Sequence, residues 1–284
     1  MKEFKMKQSV QLLTIITLIS IITYVWTENN NVPTVKYFPI HDVNTFTKSE
    51  TTLQVKKRTD EIEWTVFSKS NVPTYLRQDI SILYVNGMFQ GVFSAWRQQI
   101  SELKQQTSFP LIKNGLYESI SYHHGEIHEA NTISSMQAMS KTQLFTSEEN
   151  DKAIYFSKPK TAIEQEIASS LRHETDKVLQ KHWTKLVRAL DIDITTYDCI
   201  PLTQWTQIGE NSTFTRLSTS TQQRVIGQFW EGLYKNYILL LQEQQDVPHY
   251  IPLILLDKNV RELRIIYELN GEPEQLIQRI STHD

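Results

Sequence analysis

The most apolar stretch of the chain is at its amino terminus. Val10 to Trp26 is broken only by Gln11, Thr14, Thr17, Ser20 and Thr23, and no charged residue occurs from 8 to 27. Threonine and serine hydroxyls can return a hydrogen bond to a helix backbone, so they cost far less in lipid than charges. These 20 residues match the roughly 20 that span a bilayer core. The pattern predicts a single transmembrane helix at 8–27, retained as a signal-anchor. Cleavage is the rival reading, but Thr23-Tyr24-Val25-Trp26-Thr27-Glu28 lacks the small residues a signal peptidase site needs.

Beyond the anchor, residues 28–50 are rich in Asn and Thr with Pro33 and Pro39, which reads as an extended stalk. Residues 51–284 then carry two kinds of periodicity. Alternation over Thr51–Lys57 and Ile62–Ser68, with Ile62, Trp64 and Val66 on one face, predicts a strand pair. Ile80–Val85 and Met88–Phe93 flank Asn86-Gly87, the preferred dipeptide of a two-residue type I′ hairpin. Trp96, Ile100 and Leu103 recur at helical spacing after Ser94 and predict a helix over 95–105. Leu116–Glu129 reads as extended and bent near Gly125, and Ile133, Met136 and Met139 suggest a short helix over 132–142.

Two long helices complete the pattern. Thr161-x-x-Glu164 is a capping box, and Ile163, Ile167, Leu171, Val178, Trp183, Leu186 and Leu190 form the apolar stripe of a helix reaching Leu190. Thr219-x-x-Gln222 opens a second helix, to about Gln244, that is apolar over more than half its circumference and so is expected at the domain centre. Residues 191–217 read as irregular. Ile251–Leu256 and Leu263–Leu269 read as a last strand pair, and Glu272-Pro273-Glu274 as the start of a closing helix. Strands and helices come in clumps. The expected class is therefore α+β, one mixed domain of antiparallel strand pairs and two long amphipathic helices after the anchor.

Charge gives the anchor a direction. Lys2, Lys5 and Lys7 precede it and Glu28 follows it, so the positive-inside rule leaves residues 1–7 as a cytoplasmic tail and the body outside the cell membrane. The whole chain has net charge −3; beyond residue 27 it has 26 basic and 31 acidic side chains, net −5. A nucleic-acid partner is not expected from such a balance. With 8 glycines in 284 residues, no G-x-G-x-x-G, P-loop or G-x-S-x-G motif occurs. The single cysteine, Cys199, excludes a disulfide within the chain and any cysteine-based zinc cluster. It reads as a small buried residue rather than a nucleophile. This lysine-led anchor before a glycine-poor body resembles the texture of bacterial envelope proteins, which implies a location and no activity.

The densest candidate chemistry is Ser121-Tyr122-His123-His124-Gly125-Glu126-Ile127-His128-Glu129. On a continuous strand His124, Glu126 and His128 share a face. Two imidazoles and a carboxylate are a reasonable zinc set that leaves one position open for water. The bland alternative is a polar hairpin tip. Asp191-x-Asp193 matches the carboxylate pair with which glycosyltransferases hold a divalent ion, but it follows a long helix, and an acidic turn is the expected reading. His182, on the apolar arc, is expected buried and His173 solvated. Ser121 lies near His123, but a triad needs geometry that spacing does not supply. Asn211-Ser212-Thr213 is a glycosylation sequon. The leading expectation is an anchored extracytoplasmic interaction or envelope-associated module without a cofactor. Its partners are the membrane, through residues 8–27, and another membrane or envelope protein. The second is an anchored metal-dependent hydrolase using the 123–129 cluster and zinc.

Overall fold

The computed structural model describes residues 38–149, 152–243 and 248–281. The expected transmembrane segment 8–27 lies outside the described residues. Among the described residues, no helix is long and apolar enough to cross a membrane. Residues 46–50, expected as the end of a stalk, already belong to the first strand, and Ile40 bridges to Ser135.

Three antiparallel sheets and three helices make up the described part. The first sheet has the order β1 (Phe46–Lys56), β2 (Glu61–Thr74), β5 (Ile100–Pro110). The second runs β4 (Met88–Arg97), β3 (Leu76–Val85), β6 (Gly115–Glu129), β7 (Thr132–Glu149), β8 (Lys152–Phe156). The third runs β12 (Glu272–Arg279), β11 (Glu262–Leu269), β10 (Leu253–Asp257), β9 (Tyr197–Pro201). The helices are α1 (Ala162–Ala189), α2 (Thr219–Leu233) and α3 (Leu239–Glu243), with a π-helical turn, Tyr234–Ile238, between the last two.

The first two sheets pack face to face. Leu53, Ile62, Trp64 and Val66 from one meet Leu83, Val85, Tyr117 and Leu144 from the other, so the expected alternation at 62, 64 and 66 is the inner face of the sandwich. The opposite face of the five-stranded sheet carries Ile80, Ile82, Tyr84, Ile120 and Tyr122. It packs with α1, α2 and the third sheet in the largest core. The five-stranded sheet is thus covered on both sides.

Residues 95–105 are not a helix. Ser94 to Arg97 finish β4, Gln99 turns the chain with φ +54°, and β5 pairs with β2 from Thr74↔Ile100 to Glu61↔Pro110. Residues 132–142 are likewise strand, because β6 and β7 form a long hairpin running from Gly115↔Thr146 to Glu129↔Thr132. Ile133, Met136 and Met139 recur every third residue on alternating sides of β7, Met136 buried and Ile133 exposed, and that spacing imitates a helical stripe. The closing segment is β12, an edge strand that tolerates Pro273 at its start. It is reached through Asn270-Gly271, a second hairpin dipeptide. Inside the expected irregular region, β9 pairs with β10.

Other expectations match closely. Asn86 and Gly87 have φ +51° and +80°, as a type I′ turn demands. The Thr161 side chain caps α1 reciprocally with Glu164. α2 is capped one residue earlier than expected, by Ser218 accepting from the Thr221 N–H. Its Val225, Phe229, Trp230 and Leu233 are buried at the centre. Gly125 does not bend β6, since its register with Met136 is unbroken. A Cβ there would come within 2.7 Å of Thr74 Cγ2, which is why the position needs glycine.

Candidate functional site: a cationic cavity beside a buried carboxyl

Strand alternation turns Glu118, Ile120 and Tyr122 of β6 toward the helical layer. Opposite them on β7 stand Gln143, Lys141 and Met139. At the Glu118 end the apolar packing stops. A cavity of about 460 Å³ opens there, walled by β6, β7, the segment before α1, α1 itself and the 3-10 turn Leu202–Glu210. Arg172 projects from α1 onto the ring of Phe145, 5.1 Å from its centroid, and donates to Gln143 Oε1 at 2.5 Å. Gln143 in turn donates to the Ser157 carbonyl at 3.1 Å. Thr203 donates to Glu118 Oε1 at 3.3 Å. The wall is therefore held in place by its own hydrogen bonds.

The electrostatics are uneven. Burial pushes the Glu118 carboxyl above its usual range, while Arg172 and the Thr203 hydroxyl pull back only in part. Lys141, Lys158 and Arg172 also line the cavity, and among the described residues none of them lies in an ion pair. Three cations thus converge on a concave polar surface whose central carboxyl resists ionisation.

Glu118→Gln keeps an acceptor for Thr203 and removes the ionisation, so its effect on stability has a predictable sign. Between the ordinary carboxyl pKa and the raised one, the folded state holds more protons than the unfolded state, and stability falls as pH rises. Wild type and variant are expected to be nearly equal at low pH, with wild type becoming the less stable as pH rises past that window. Urea denaturation across the pH range measures it. A pH-independent difference would contradict the assignment.

On the opposite face of the same sheet lies a buried polar layer. Asp79 of β3 and His123 of β6 stand in register, with no solvent exposure. Asp79 Oδ2 accepts from the Ser68 hydroxyl of β2 and lies 3.6 Å from His123 Nδ1; His123 Nε2 is 2.9 Å from Ser140 Oγ of β7. Ser81 continues the layer to Ser121 at 2.6 Å, and Trp64 donates to Thr51 at 3.2 Å. Serine, histidine and aspartate are brought together, but Asp79 and His123 are sealed between two sheets. We read the group as a polar tie across the sandwich. Its members lie on five strands, and spacing along the chain carried no sign of it.

The expected metal set is only partly gathered. β6 is continuous through Glu129, so His124, Glu126 and His128 do share a face. Glu126 and His128 are 3.0 Å apart, and the His128 ring stacks on Tyr75 with centroids at 3.8 Å. The His124 ring lies along Tyr122 instead, at 6.0 Å. A strand rises about 3.3 Å per residue, so positions 124 and 128 are roughly 13 Å apart along it, too far for both to reach one ion. Among the described residues, no three His, Cys, Asp or Glu side chains are arranged to hold a metal.

The remaining candidates have local roles. Asp193 caps the turn Ile194–Thr196, accepting from the Thr195 hydroxyl and N–H, which lowers its pKa. His182 is half-buried against Tyr250 at 4.4 Å, and that burial lowers its pKa; His173 is exposed. Cys199, expected buried, is exposed on β9, yet desolvation of its thiol and then Asp198 raise its pKa, the opposite of an activated thiolate. Asn211 of the sequon accepts from the N–H groups of Thr213 and Phe214 in a tight turn.

No protein-family model matches the sequence. No curated protein is detectably similar to it. Among solved structures, the chain is weakly similar to the crystal structure of a CARDB domain from Pyrococcus furiosus in complex with di-metal ions. Sequence identity is 15%, the match covers 38% of this chain and 97% of that one, and the TM-score is 0.21. The solution NMR structure of the same domain gives 17% identity, 37% and 97% coverage and a TM-score of 0.21. At that TM-score the likeness fixes neither the architecture nor the function of the chain.

Proposed function

We propose that the chain is a membrane-anchored, extracytoplasmic interaction module of the cell envelope, and that it binds its ligand in the cavity beside Glu118. The observation that carries the binding role is the convergence of Lys141, Lys158 and Arg172, none of them in an ion pair among the described residues, on a wall prearranged by hydrogen bonds. Prearranged polar groups around a concavity cost little further ordering when a ligand arrives, which favours binding. The location rests on the sequence: an uncharged 20-residue span after three lysines, followed by a body of net charge −5. The membrane is one partner, through residues 8–27, and a second membrane or envelope protein is the other.

Fractionation of cells making the full-length chain tests the anchor. The polypeptide is expected in the high-speed pellet through carbonate washing and in the supernatant only with detergent. Recovery in the supernatant without detergent would overturn the location.

A further inference from the structure

Resting on the binding role just given, we infer that the cavity beside Glu118 takes an anion carried on a polyol, that is, a phosphorylated or carboxylated sugar or sugar alcohol. Two features of the lining point to this class. The first is charge. Lys141 and Lys158 are exposed at the cavity and Arg172 is half-buried in its wall, whereas the nearby carboxylates are Glu118 and, one turn along α1 from Arg172, Asp176. Positive charge in a concave site raises the local concentration of anions, and a guanidinium held on an aromatic face is already oriented for a carboxylate or phosphate.

The second feature is the neutral part of the wall. Gln143, Thr203, Gln204 and Gln207 offer amides and a hydroxyl, each able to donate and accept as sugar hydroxyls require. The Glu118 carboxyl, held by Thr203 at the cavity wall, adds an acceptor for a ligand hydroxyl. Among the described residues the cavity lining holds no aromatic side chain, and the Phe145 ring behind it is covered by Arg172 and stacked on Phe156. No face is thus offered for a nucleobase to stack on, which disfavours a nucleotide. A volume of about 460 Å³ suits a ligand of one sugar unit rather than a folded chain.

The test is a ligand-observed NMR titration of the full chain in detergent micelles at low salt, with four probes: glycerol 1-phosphate, glucuronate, inorganic phosphate and glucose. At least one of the two charged polyols is expected to bind roughly tenfold more tightly than both inorganic phosphate and glucose, consistent with a charge-assisted hydrogen bond added to hydroxyl contacts. Which one binds more tightly identifies the anion as phosphate or carboxylate. Lys141→Gln with Lys158→Gln is expected to weaken the charged polyols about fivefold and leave glucose unchanged. Both lysines are exposed, so this variant should fold even if Arg172→Gln, which unpacks Phe145, does not.

Inorganic phosphate binding as tightly as both charged polyols would overturn the polyol. Glucose binding as tightly as glucuronate would overturn the anion while leaving a binding cavity. Binding of none of the four would overturn the inference about ligand class, whereas the anchored location stands or falls separately on fractionation.

Discussion

Trp230→Ala is expected to destabilise the domain by about 3–5 kcal/mol, the range for truncating a fully buried tryptophan. Trp230 has no exposed surface and lies at the junction of all the layers that meet α2. Its ring is parallel to Tyr122 of β6, 5.2 Å away at 2°, and edge-on to Phe229, which itself stacks on Trp205 at 4.2 Å. Alanine would remove a stacking partner from the five-stranded sheet and leave a cavity that neither a helix nor a paired strand can collapse to fill. Its indole N–H has no hydrogen-bond partner among the described residues, so Trp230→Phe forfeits no polar contact and is expected to cost markedly less. Chemical denaturation of the two variants separates the terms. A loss below about 1 kcal/mol for alanine would mean that the ring is not packed as described.

Asp79→Ala is expected to cost about 1–3 kcal/mol, the range for leaving a buried polar group without its hydrogen-bond partner. The side chain is enclosed between two sheets and accepts from the Ser68 hydroxyl beside the His123 ring. Its removal leaves the Ser68 hydroxyl buried without the acceptor that compensates its lost hydration. Asp79→Asn retains an oxygen for Ser68 and is expected to be the milder change. Rescue of most of the stability by asparagine supports a polar tie. Equal losses for alanine and asparagine would contradict the polar tie.

Features carried by a few adjacent residues were legible in the sequence. Asn86-Gly87 and the Thr161/Glu164 box act through backbone φ and local hydrogen bonds, and both elements formed where their residues predict. The broad apolar face of α2 also translated directly into burial of Val225, Phe229, Trp230 and Leu233. Strands whose apolar residues do not keep to one side were not legible as strands. In β4, β5 and β7 apolar residues appear on alternate sides, and Trp96/Ile100/Leu103 or Ile133/Met136/Met139 then imitate a helical stripe.

The candidate site was less legible still. Glu118, Lys141, Lys158, Arg172 and Thr203 come from separate elements spread over 86 residues of chain, and no short motif joins them. β6 borders the cavity through Glu118 and not through its clustered histidines. Alternation identifies which residues share a face and not what covers that face, so His123 joined Asp79 in the interior while His124 lay along Tyr122. The register partner of Glu118 on β7, Gln143, and the helix residue Arg172 become neighbours only through tertiary packing.

The claim on which the functional reading depends is that the folded body stands outside the membrane. The chain's single cysteine, Cys199, is exposed on β9 and so reports this directly. Intact cells making the full-length chain are treated with a membrane-impermeant maleimide, alongside permeabilised cells given the same exposure. Labelling of Cys199 to the same extent in both is the predicted result; labelling that requires permeabilisation would place the body in the cytoplasm and contradict the account.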